Sequence, residues 1–486
     1  MPFPPLPPDA LDLDRDLLVR VEAPAHVHAV AGSAEASVLL SPPTDGTPWS
    51  WETVPWLDQQ VPNDLDVAVN LTPWHQAGAT GGGVRVAVFD LQWFGVDAVA
   101  DTLQPFSTHD CFAEASCAEP MDTLRPRFDF ESGVHGTACA EIIRQVAPDA
   151  ELFLVRVNTR TMFENAVDWA IANDIDVISM SMSWFNLSFH DGSGPMAPYV
   201  DRLVANDIVL VTSAGNYAQQ HWQGPWVDAN GDGRLDDPPQ IVVEPGDRVY
   251  LSWNQFNSCG TTDLDVRLLD ADGATVAQSQ GRQDPDVSAE DCRPVERLPS
   301  VFDPGTYTVD VRHVRGPTSG LRLDLMVPGG AVVAAVPESS IVDPGLHPGV
   351  LTIGAVDVSN YLRADAQGYS SRGPSLAGSV KPDLAGPDGL TTQSYGSRGF
   401  FGTSASTPVV AGMLAVVLSE EPGLTGAEAA DRLRGWSWAS GDSPRDVRWG
   451  FGKARLPTVR EERGCGNRPS LLVFALLWLP FRRRSG

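Results

Sequence analysis

The stretch Val84-Arg-Val-Ala-Val-Phe-Asp90 is a short, almost continuously apolar run that ends in an acidic residue. Similar apolar runs follow it, with helical patterns between them. The runs are at residues 151–157, 176–180 and 208–212, and the helical patterns are at 163–173 and 198–206. Strands of this kind are buried on both faces, and their alternation with helices is typical of a parallel sheet. The sequence therefore predicts an α/β fold with helices flanking a parallel sheet.

The pattern changes after about residue 220. Between residues 241 and 327 the chain has only short strand-like runs, separated by turn residues such as Asp303-Pro-Gly305. This spacing is typical of an all-β sandwich. Because a buried-strand pattern returns at residues 349–356, we expect the sandwich to be inserted into the α/β domain. Such insertions occur where two chain ends lie close together at a surface.

Composition limits the classes of function. The 486 residues include 62 acidic and 34 basic side chains, a net charge of −28. This charge argues against a nucleic-acid-binding surface and against general attraction to anionic membranes. With 42% apolar and 20% charged residues, disorder as the main state is excluded.

We divide the chain into five segments on these patterns. They are an N-terminal extension or propeptide (1–69), the first part of the α/β domain (70–225), the inserted region (226–332), the second part of the α/β domain (333–460) and a C-terminal tail (461–486). The first residues lack the basic and apolar regions of a signal peptide. The tail holds an apolar run that, at 1.5 Å per residue, is too short as a helix to cross a bilayer.

Four short segments carry side chains that suit nucleophilic hydrolysis. Asp90 ends a strand, His135 opens a helix in GVHGT, Asn216 follows a strand in TSAGN, and Ser404 opens a helix in GTSASTP. Each of these residues alone is more simply explained as a cap or as a structural group. Together they suggest catalysis, because a serine hydroxyl needs a nearby base to become a nucleophile.

The order Asp, His, Asn, Ser and the segments HGT and GTSASTP resemble the subtilases, the subtilisin-like serine proteases. Residues 370–374 (SSRGP) and 381–385 (KPDLA) also match that family. The resemblance covers about residues 70–220 and 335–460. It implies a subtilisin-like fold and a serine endopeptidase that cleaves protein or peptide substrates through an acyl-enzyme, with no cofactor for the chemistry.

The resemblance also implies a role for each residue. Ser404 would be the nucleophile, His135 its general base and Asp90 the group that orients the imidazole. The side-chain amide of Asn216 and the backbone N–H of Ser404 would bind the oxyanion.

The resemblance further implies that one strand pairs with the substrate backbone and walls the specificity pocket. Its residues are Ser181, Met182, Ser183 and Trp184. The family often has Gly at the last two positions, so a bulky Trp184 would narrow the pocket if it pointed there.

A second departure follows the acidic residue of the first motif. Leu91 and Gln92 stand after Asp90, where the family usually has Ser or Thr and then Gly. The alternative function is therefore a catalytically inactive surface-binding protein on a subtilase scaffold. An esterase that uses the same triad is a third possibility.

An acidic segment precedes the inserted sandwich. Asp228, Asn230, Asp232 and Asp236 alternate with glycines and resemble the first nine positions of a calcium loop. The twelfth position, normally Glu, is Pro239. We expect a structural Ca²⁺ ion here, with an acidic, solvated turn as the alternative.

The cysteines predict two disulfides. Cys111 and Cys117 share a polar loop, and Cys259 and Cys292 share the inserted region. Such pairs are consistent with an oxidising compartment. Cys139 lies one helical turn after His135 and matches a free Cys of proteinase K-like subtilases. It is either a small buried apolar residue or a thiol through which mercurials displace His135.

Two further resemblances concern location. The inserted region resembles the bacterial pre-peptidase C-terminal β-sandwich. Gly464-Cys-Gly466, the apolar run at residues 471–481 and the Arg cluster at 482–484 resemble C-terminal sorting signals of the myxobacterial type. They imply a sorting enzyme as partner, a tail that meets the membrane and an extracellular or cell-surface location. The alternative for the tail is an ordinary short membrane anchor.

Overall fold

The computed structural model describes most of the chain from residue 65 onward, and before it only the backbone of four strands. The described ranges are 65–112, 116–118, 120–122, 133–256, 261–283, 293–298, 303–438 and 445–458. The tail at 461–486 lies outside them.

The N-terminal segment contains an antiparallel meander of β1 (Leu18–Glu22), β2 (His26–Val30), β3 (Ser37–Ser41) and β4 (Ser50–Thr53). No strands were predicted in this segment, which was expected to be an extension or propeptide. The alternation of apolar and polar residues in LVRVE and HVHAV is a strand signal, but each run is only five residues long.

The first part of the α/β domain alternates strands with helices, as expected. Its elements are α1 (Leu65–Val69), α2 (Thr72–Gln76), β5 (Arg85–Asp90), α3 (Ala100–Leu103), β6 (Phe106–Asp110), α4 (His135–Val146), β7 (Glu151–Arg156), α5 (Arg160–Ala172), β8 (Val177–Met180), α6 (Ala197–Ala205) and β9 (Val209–Ser213). The second part supplies β19 (Leu351–Asp357), β20 (Leu384–Asp388), α7 (Thr403–Glu420) and α8 (Gly426–Trp436).

Seven of these strands form one sheet in the order β20-β19-β9-β8-β5-β7-β6. Every pair in it is parallel. Along β5, Val86 and Val88 face the core that includes α4 and α7, while Ala87 and Phe89 face the core that includes α5 and α6. The sheet is therefore covered by helices on both faces, which confirms the predicted α/β fold.

Helix α7 runs through the centre of the larger core. Gly412 lets α4 approach closely, because a Cβ there would lie 2.7 Å from Cβ of Val146. By length and composition α7 could cross a membrane, but 78% of its apolar stretch is buried inside the structure. That burial is typical of a central core helix.

Two antiparallel sheets interrupt the α/β domain. Their strands are β10 (His221–Pro225), β11 (Gln240–Val243), β12 (Val249–Trp253), β13 (Asp263–Leu269), β14 (Thr275–Ser279), β15 (Val295–Leu298), β16 (Gly305–Arg315), β17 (Arg322–Met326) and β18 (Ala331–Val332). The sheets have the orders β10-β17-β12-β15 and β14-β13-β16-β11-β18. Both sheets contribute to one apolar core around Trp253, as the β-sandwich pattern predicts.

The sandwich begins and ends at neighbouring points of the α/β domain. The N–H of Val332 donates to the carbonyl of Gln219 at 2.9 Å, and the N–H of Val336 donates to that of His221 at 2.9 Å. Strand β10 therefore belongs to the sandwich, although it precedes the predicted boundary at residue 226.

Candidate active site

Asp90 lies at the carboxyl end of β5 and is fully buried. One carboxylate oxygen accepts the backbone N–H groups of Leu91 at 2.8 Å and Gln92 at 3.0 Å. The other lies 2.6 Å from Nδ1 of His135. Because both supporting donors belong to the backbone, the unusual side chains of Leu91 and Gln92 do not remove the support of Asp90.

His135 opens α4, and the next residue lets the helix begin beside β5. A Cβ at Gly136 would lie 2.7 Å from Cβ of Asp90 and 2.8 Å from the carbonyl oxygen of Gln92. The Gly136 N–H donates to that same carbonyl at 2.8 Å. The imidazole packs edge-on against Phe400, with ring centroids 5.4 Å apart.

The charge of Asp90 changes the proton affinity of His135. Burial, the largest single influence, favours the neutral imidazole. The attraction of Asp90 and its hydrogen bond together outweigh burial, so the pKa of His135 is raised above 6.5. The His135 side chain remains 21% exposed, which leaves the ring accessible from one side.

Ser404 is the second residue of α7, where the helix dipole favours negative charge. Pro408 lies inside the helix and has no N–H to donate to the carbonyl of Ser404, four residues earlier. The hydroxyl of Ser181 donates to that carbonyl at 3.0 Å, and the thiol of Cys139 lies 3.7 Å from it. These side chains fix the backbone of Ser404 from outside the helix.

Asn216 is oriented by the residue before the serine. Its Oδ1 accepts the backbone N–H and the hydroxyl of Thr403, both at 3.0 Å. The amide Nδ2 is then the group left to donate elsewhere. Gly402, with φ of 104°, is needed here, because a Cβ would lie 2.9 Å from that Nδ2.

A cavity of about 480 Å³ brings the predicted residues together. His135, Asn216 and Ser404 share its wall. The rest of the wall is Val134, Ser394, Tyr395, Arg398, Gly399, Phe400 and Phe401. Asp90 lies behind His135, so the four residues singled out in the sequence meet in one place.

The described part of the chain includes no hydrogen bond between the Ser404 hydroxyl and another residue. Catalytic hydrogen bonds are often long without substrate. Because Ser404 and His135 line the same cavity, the pair is compatible with proton transfer.

The comparisons with known proteins agree with this geometry. The model of the subtilase family matches residues 57–241 and 330–452, well over half of the chain. This chain belongs to the subtilase family. The match stops inside the sandwich region and resumes at its end, as expected of an insertion into a subtilase domain.

Individual relatives are more distant. The chain is 34% identical over 254 residues to the serine protease AprX of Bacillus subtilis, which covers 46% of the chain and 50% of AprX. It is 33% identical over 173 residues to subtilisin E of the same species, covering 32% of the chain and 40% of that protein. The chain thus spans half or less of the length of these two relatives. The CspB protease of Clostridium perfringens shares the fold, with a TM-score of 0.58 at 14% identity, covering 84% of this chain and all of that one.

The segment expected to bind substrate in this subtilase, residues 181–184, contributes no residue to the wall of the cavity, and its pairing with substrate stays a prediction. Ser181 holds the Ser404 carbonyl, Met182 is buried, and the hydroxyl of Ser183 pairs with that of Tyr217 at 3.1 Å. The ring of Trp184 packs against Phe163 at 5.7 Å. Trp184 therefore contributes to the core beside α5 and does not line the cavity.

A loop that no sequence motif indicated, residues 394–401, forms much of the cavity wall. Glu141, on the buried side of α4, accepts the N–H groups of Gln393 at 2.7 Å and Ser394 at 3.1 Å. Burial raises the pKa of this carboxyl group. Tyr395 then stacks on Phe400 at 4.6 Å. An acidic residue within the buried face of a helix was the available signal.

A second buried carboxylate supports the turn before the serine. Asp388 accepts the N–H of Gly402 at 3.0 Å and an amide N–H of Gln367 at 3.0 Å, and it also contacts the hydroxyl of Tyr369. Burial raises the pKa of Asp388. No motif in the sequence had indicated these residues.

The cysteines behave differently from one another. Cys111 and Cys117 form a disulfide, whereas Cys259 and Cys292 lie outside the described residues. Cys139 is free and buried, and burial together with the charge of Asp90 raises its pKa well above the usual value. It is therefore a thiol, not a thiolate.

The acidic loop is held by its own backbone. The N–H of Asp232 donates to carboxylate or amide oxygens of Asp228 at 3.0 Å and Asn230 at 2.8 Å, and the N–H of Ala229 donates to Asp236 at 2.9 Å. Asn230, Asp232 and Asp236 are exposed and Asp228 is half-buried. Their side-chain oxygens are of the kind that a hard cation prefers, and a calcium ion here stays a prediction.

Proposed function

We propose that this subtilase is a serine endopeptidase that uses Ser404, His135 and Asp90 as its triad. The 2.6 Å contact between Asp90 and His135, beside a cavity shared by His135, Ser404 and Asn216, carries the proposal. These are the groups that acyl transfer requires, in the roles of orienter, base, nucleophile and oxyanion donor.

In the first step, Nε2 of His135 takes the proton of the Ser404 hydroxyl while its oxygen attacks the scissile carbonyl. The oxyanion accepts hydrogen bonds from Nδ2 of Asn216 and the N–H of Ser404. Asp90 keeps the proton on Nδ1 of His135 and stabilises the imidazolium. His135 then protonates the leaving amine, and an acyl-enzyme remains on Ser404 until water, deprotonated by His135, releases the acid.

The geometry favours this enzyme over an inactive binding protein. The two departures that motivated the inactive scaffold, at residues 91–92 and at Trp184, leave Asp90 supported by backbone N–H groups and the cavity open.

A fluorophosphonate probe tests the nucleophile. We expect covalent labelling of the wild type, loss of labelling in Ser404→Ala and full labelling in Ser419→Ala. Ser419 is a matched control, because it lies on the same helix and its hydroxyl accepts the N–H of Gly81, far along α7. A folded wild type that takes no label would contradict the proposal, and ester turnover without peptide cleavage would favour an esterase.

The oxyanion donor has its own test. Asn216→Ala should lower kcat by about 10²–10³-fold with little change in KM, because the lost hydrogen bond acts in the transition state. Kinetics on a peptide found by library cleavage would measure this. A loss confined to KM would mean that Asn216 only binds substrate.

We also propose that the loop of Asp228, Asn230, Asp232 and Asp236 binds a structural Ca²⁺ ion. Its alternating oxygens and the glycines at positive φ, Gly231 and Gly233, support the proposal. We expect Ca²⁺ to raise the Tm and a chelator selective for Ca²⁺ to lower it, with Asp228→Asn removing the response. An unchanged Tm in the wild type would favour a solvated turn.

We propose, finally, that the protein is exported and attached to the cell surface through its tail by a sorting enzyme. The Cys111–Cys117 disulfide supports an oxidising compartment, and the Gly-Cys-Gly, apolar and Arg-rich order of residues 464–484 supports processing. Surface proteolysis of intact cells and mass mapping of the mature C-terminus test it. An intact tail on cytosolic protein would contradict it.

A further inference from the structure

Three titratable side chains meet where the sandwich joins the protease domain. His190 belongs to the loop before α6, His221 begins β10, and Asp324 lies on β17. Their exposed fractions are only 5%, 0% and 1%. The Nε2 atoms of His190 and His221 lie 3.0 Å and 2.7 Å from the same oxygen, Oδ2 of Asp324. The proposed mechanism uses none of them.

The other nitrogen of each ring also faces an acceptor. Nδ1 of His190 lies 3.0 Å from the carbonyl oxygen of Ile341, and Nδ1 of His221 lies 2.5 Å from that of Val336. A carbonyl oxygen has no proton to give, so each Nδ1 must carry one. A neutral imidazole has only one N–H. Its Nε2 would then direct a lone pair at the carboxylate.

Hydrogen bonds alone satisfy all four ring nitrogens only if the cluster carries two protons more than two neutral rings and a carboxylate do. These protons would lie on both rings, or on one ring and on Asp324, in a closed space. A cation between the two Nε2 atoms and Oδ2 removes the conflict, because each ring keeps its Nδ1–H on a backbone carbonyl and turns its lone pair to the ion. Metal-bound histidines usually have this outer hydrogen bond.

We propose that His190, His221 and Asp324 bind a zinc ion that joins the inserted sandwich to the protease domain. The ligand atoms of these three residues all lie within 4.8 Å of one another. Two imidazoles and a carboxylate form a donor set typical of Zn²⁺, whereas Ca²⁺ and Mg²⁺ prefer oxygen ligands alone. Three protein ligands leave the fourth position of a tetrahedral zinc for a further oxygen ligand.

The surroundings agree with a bound dication. A second carboxylate, Asp343, is close enough for its charge to act on His190, so two negative groups are available to balance the ion.

The ion would connect three segments that come from different parts of the chain. His190 belongs to the protease domain, and His221 and Asp324 belong to neighbouring strands of one sandwich sheet. The carbonyls of Val336 and Ile341 that accept from the two rings lie on the segment that returns to the protease domain.

The first experiment measures the metal content of the full chain. After dialysis without chelator, mass spectrometry of the metal should find about one zinc per chain. A strong chelator should lower the Tm, and equimolar Zn²⁺ should restore it. X-ray absorption at the zinc edge should show two imidazole nitrogens and oxygen, without sulfur. Sulfur in the ligand set would move the ion to Cys139, which lies with Asp90 and His135, and would overturn the proposal.

Variants then assign the ligands. Asp324→Asn and His190→Gln should weaken zinc binding by at least about 100-fold, while His313→Gln should bind as the wild type does. His313 is a matched control on the same sandwich, with Nε2 facing the carbonyl of Gly316 at 2.8 Å.

Two results would overturn the zinc site. One is a wild type that takes up no zinc and whose Tm does not respond to chelator or to Zn²⁺, which means that protons alone occupy the cluster. The other is wild-type affinity in Asp324→Asn. If the variants do not fold, metal content and X-ray absorption of the wild type still decide.

Discussion

The same two side-chain types, histidine and aspartate, meet at two places in this subtilase, and the surroundings differ. At the cavity, Asp90 gives one oxygen to a single imidazole and the other to two backbone N–H groups. At the junction, one oxygen of Asp324 faces two imidazoles. His135 is open to a cavity, whereas His190 and His221 are closed off.

This difference shows that the number of partners and the exposure of a histidine–aspartate contact decide whether it can serve catalysis or only stability. An imidazole with one partner and one open edge can exchange a proton with a substrate or nucleophile. The carboxylate of Asp324 is buried between two rings and cannot contact a substrate, so its interactions stabilise the junction between the sandwich and the protease domain.

The same substitution at the two aspartates should give different results, a loss of activity at Asp90 and a loss of stability at Asp324. Asp90→Asn should lower kcat by about 10⁴-fold, because an amide no longer fixes the proton on Nδ1 or stabilises the imidazolium. Peptide kinetics would measure it, with the Tm as a check on folding. A loss of less than tenfold would remove Asp90 from the triad.

At the junction, Asp324→Asn should instead destabilise the fold by about 3–5 kcal/mol, because the buried cluster loses the carboxylate that balances its positive charge. Urea denaturation measures the free energy of unfolding. The control is Asp365→Asn, an exposed residue paired with Arg448 at 3.2 Å, which should cost less than about 1 kcal/mol. If Asp324→Asn and Asp365→Asn lowered the free energy of unfolding equally, burial of Asp324 would not explain its contribution to stability.

The pH profile tests the cavity pair alone. His135 must be neutral to act as base, and its pKa is raised above 6.5 by Asp90 against the effect of burial. Activity should therefore fall as the pH drops through a midpoint above 6.5. Besides Asp90, the ionisable groups near the ring are Cys139, Tyr395 and Arg398. A midpoint below 6.5 in the pH dependence of kcat/KM would mean that burial dominates.

The smallest expected effect concerns the thiol behind the cavity. The ligand atoms of Cys139, His135 and Asp90 lie within 4.8 Å of one another, so a mercurial bound to Cys139 should displace the imidazole and inhibit. The neutral thiol is buried, so modification should be slow. Cys139→Ala should keep activity in the presence of mercurial. Full activity of a wild type whose thiol is modified would exclude displacement.

Much of the fold and of the cavity was predictable from local patterns. Buried strands alternate with helices, and the carboxyl ends of parallel strands share one edge of a sheet, so Asp90 and the segment with Asn216 were expected together. The family resemblance added the roles.

Other features depend on contacts between distant segments and had no local signal. His190, His221 and Asp324 are separated by 31 and 103 positions and belong to no motif. The direction of Trp184 depends on its contact with Phe163, which a strand pattern does not specify. The N-terminal strands were missed because their runs are short.

The paired ends of the sandwich have one more consequence. Gln219 and Val332 are joined by a hydrogen bond, so the two ends of the inserted sandwich lie as close together as the two ends of a short hairpin loop. The insertion therefore adds almost no loop-closure entropy to the folding of the protease domain, because the folded sandwich already holds its own ends together. The inserted sandwich therefore holds its own two ends together, and this position in the protease domain should accept other inserted domains whose ends lie equally close.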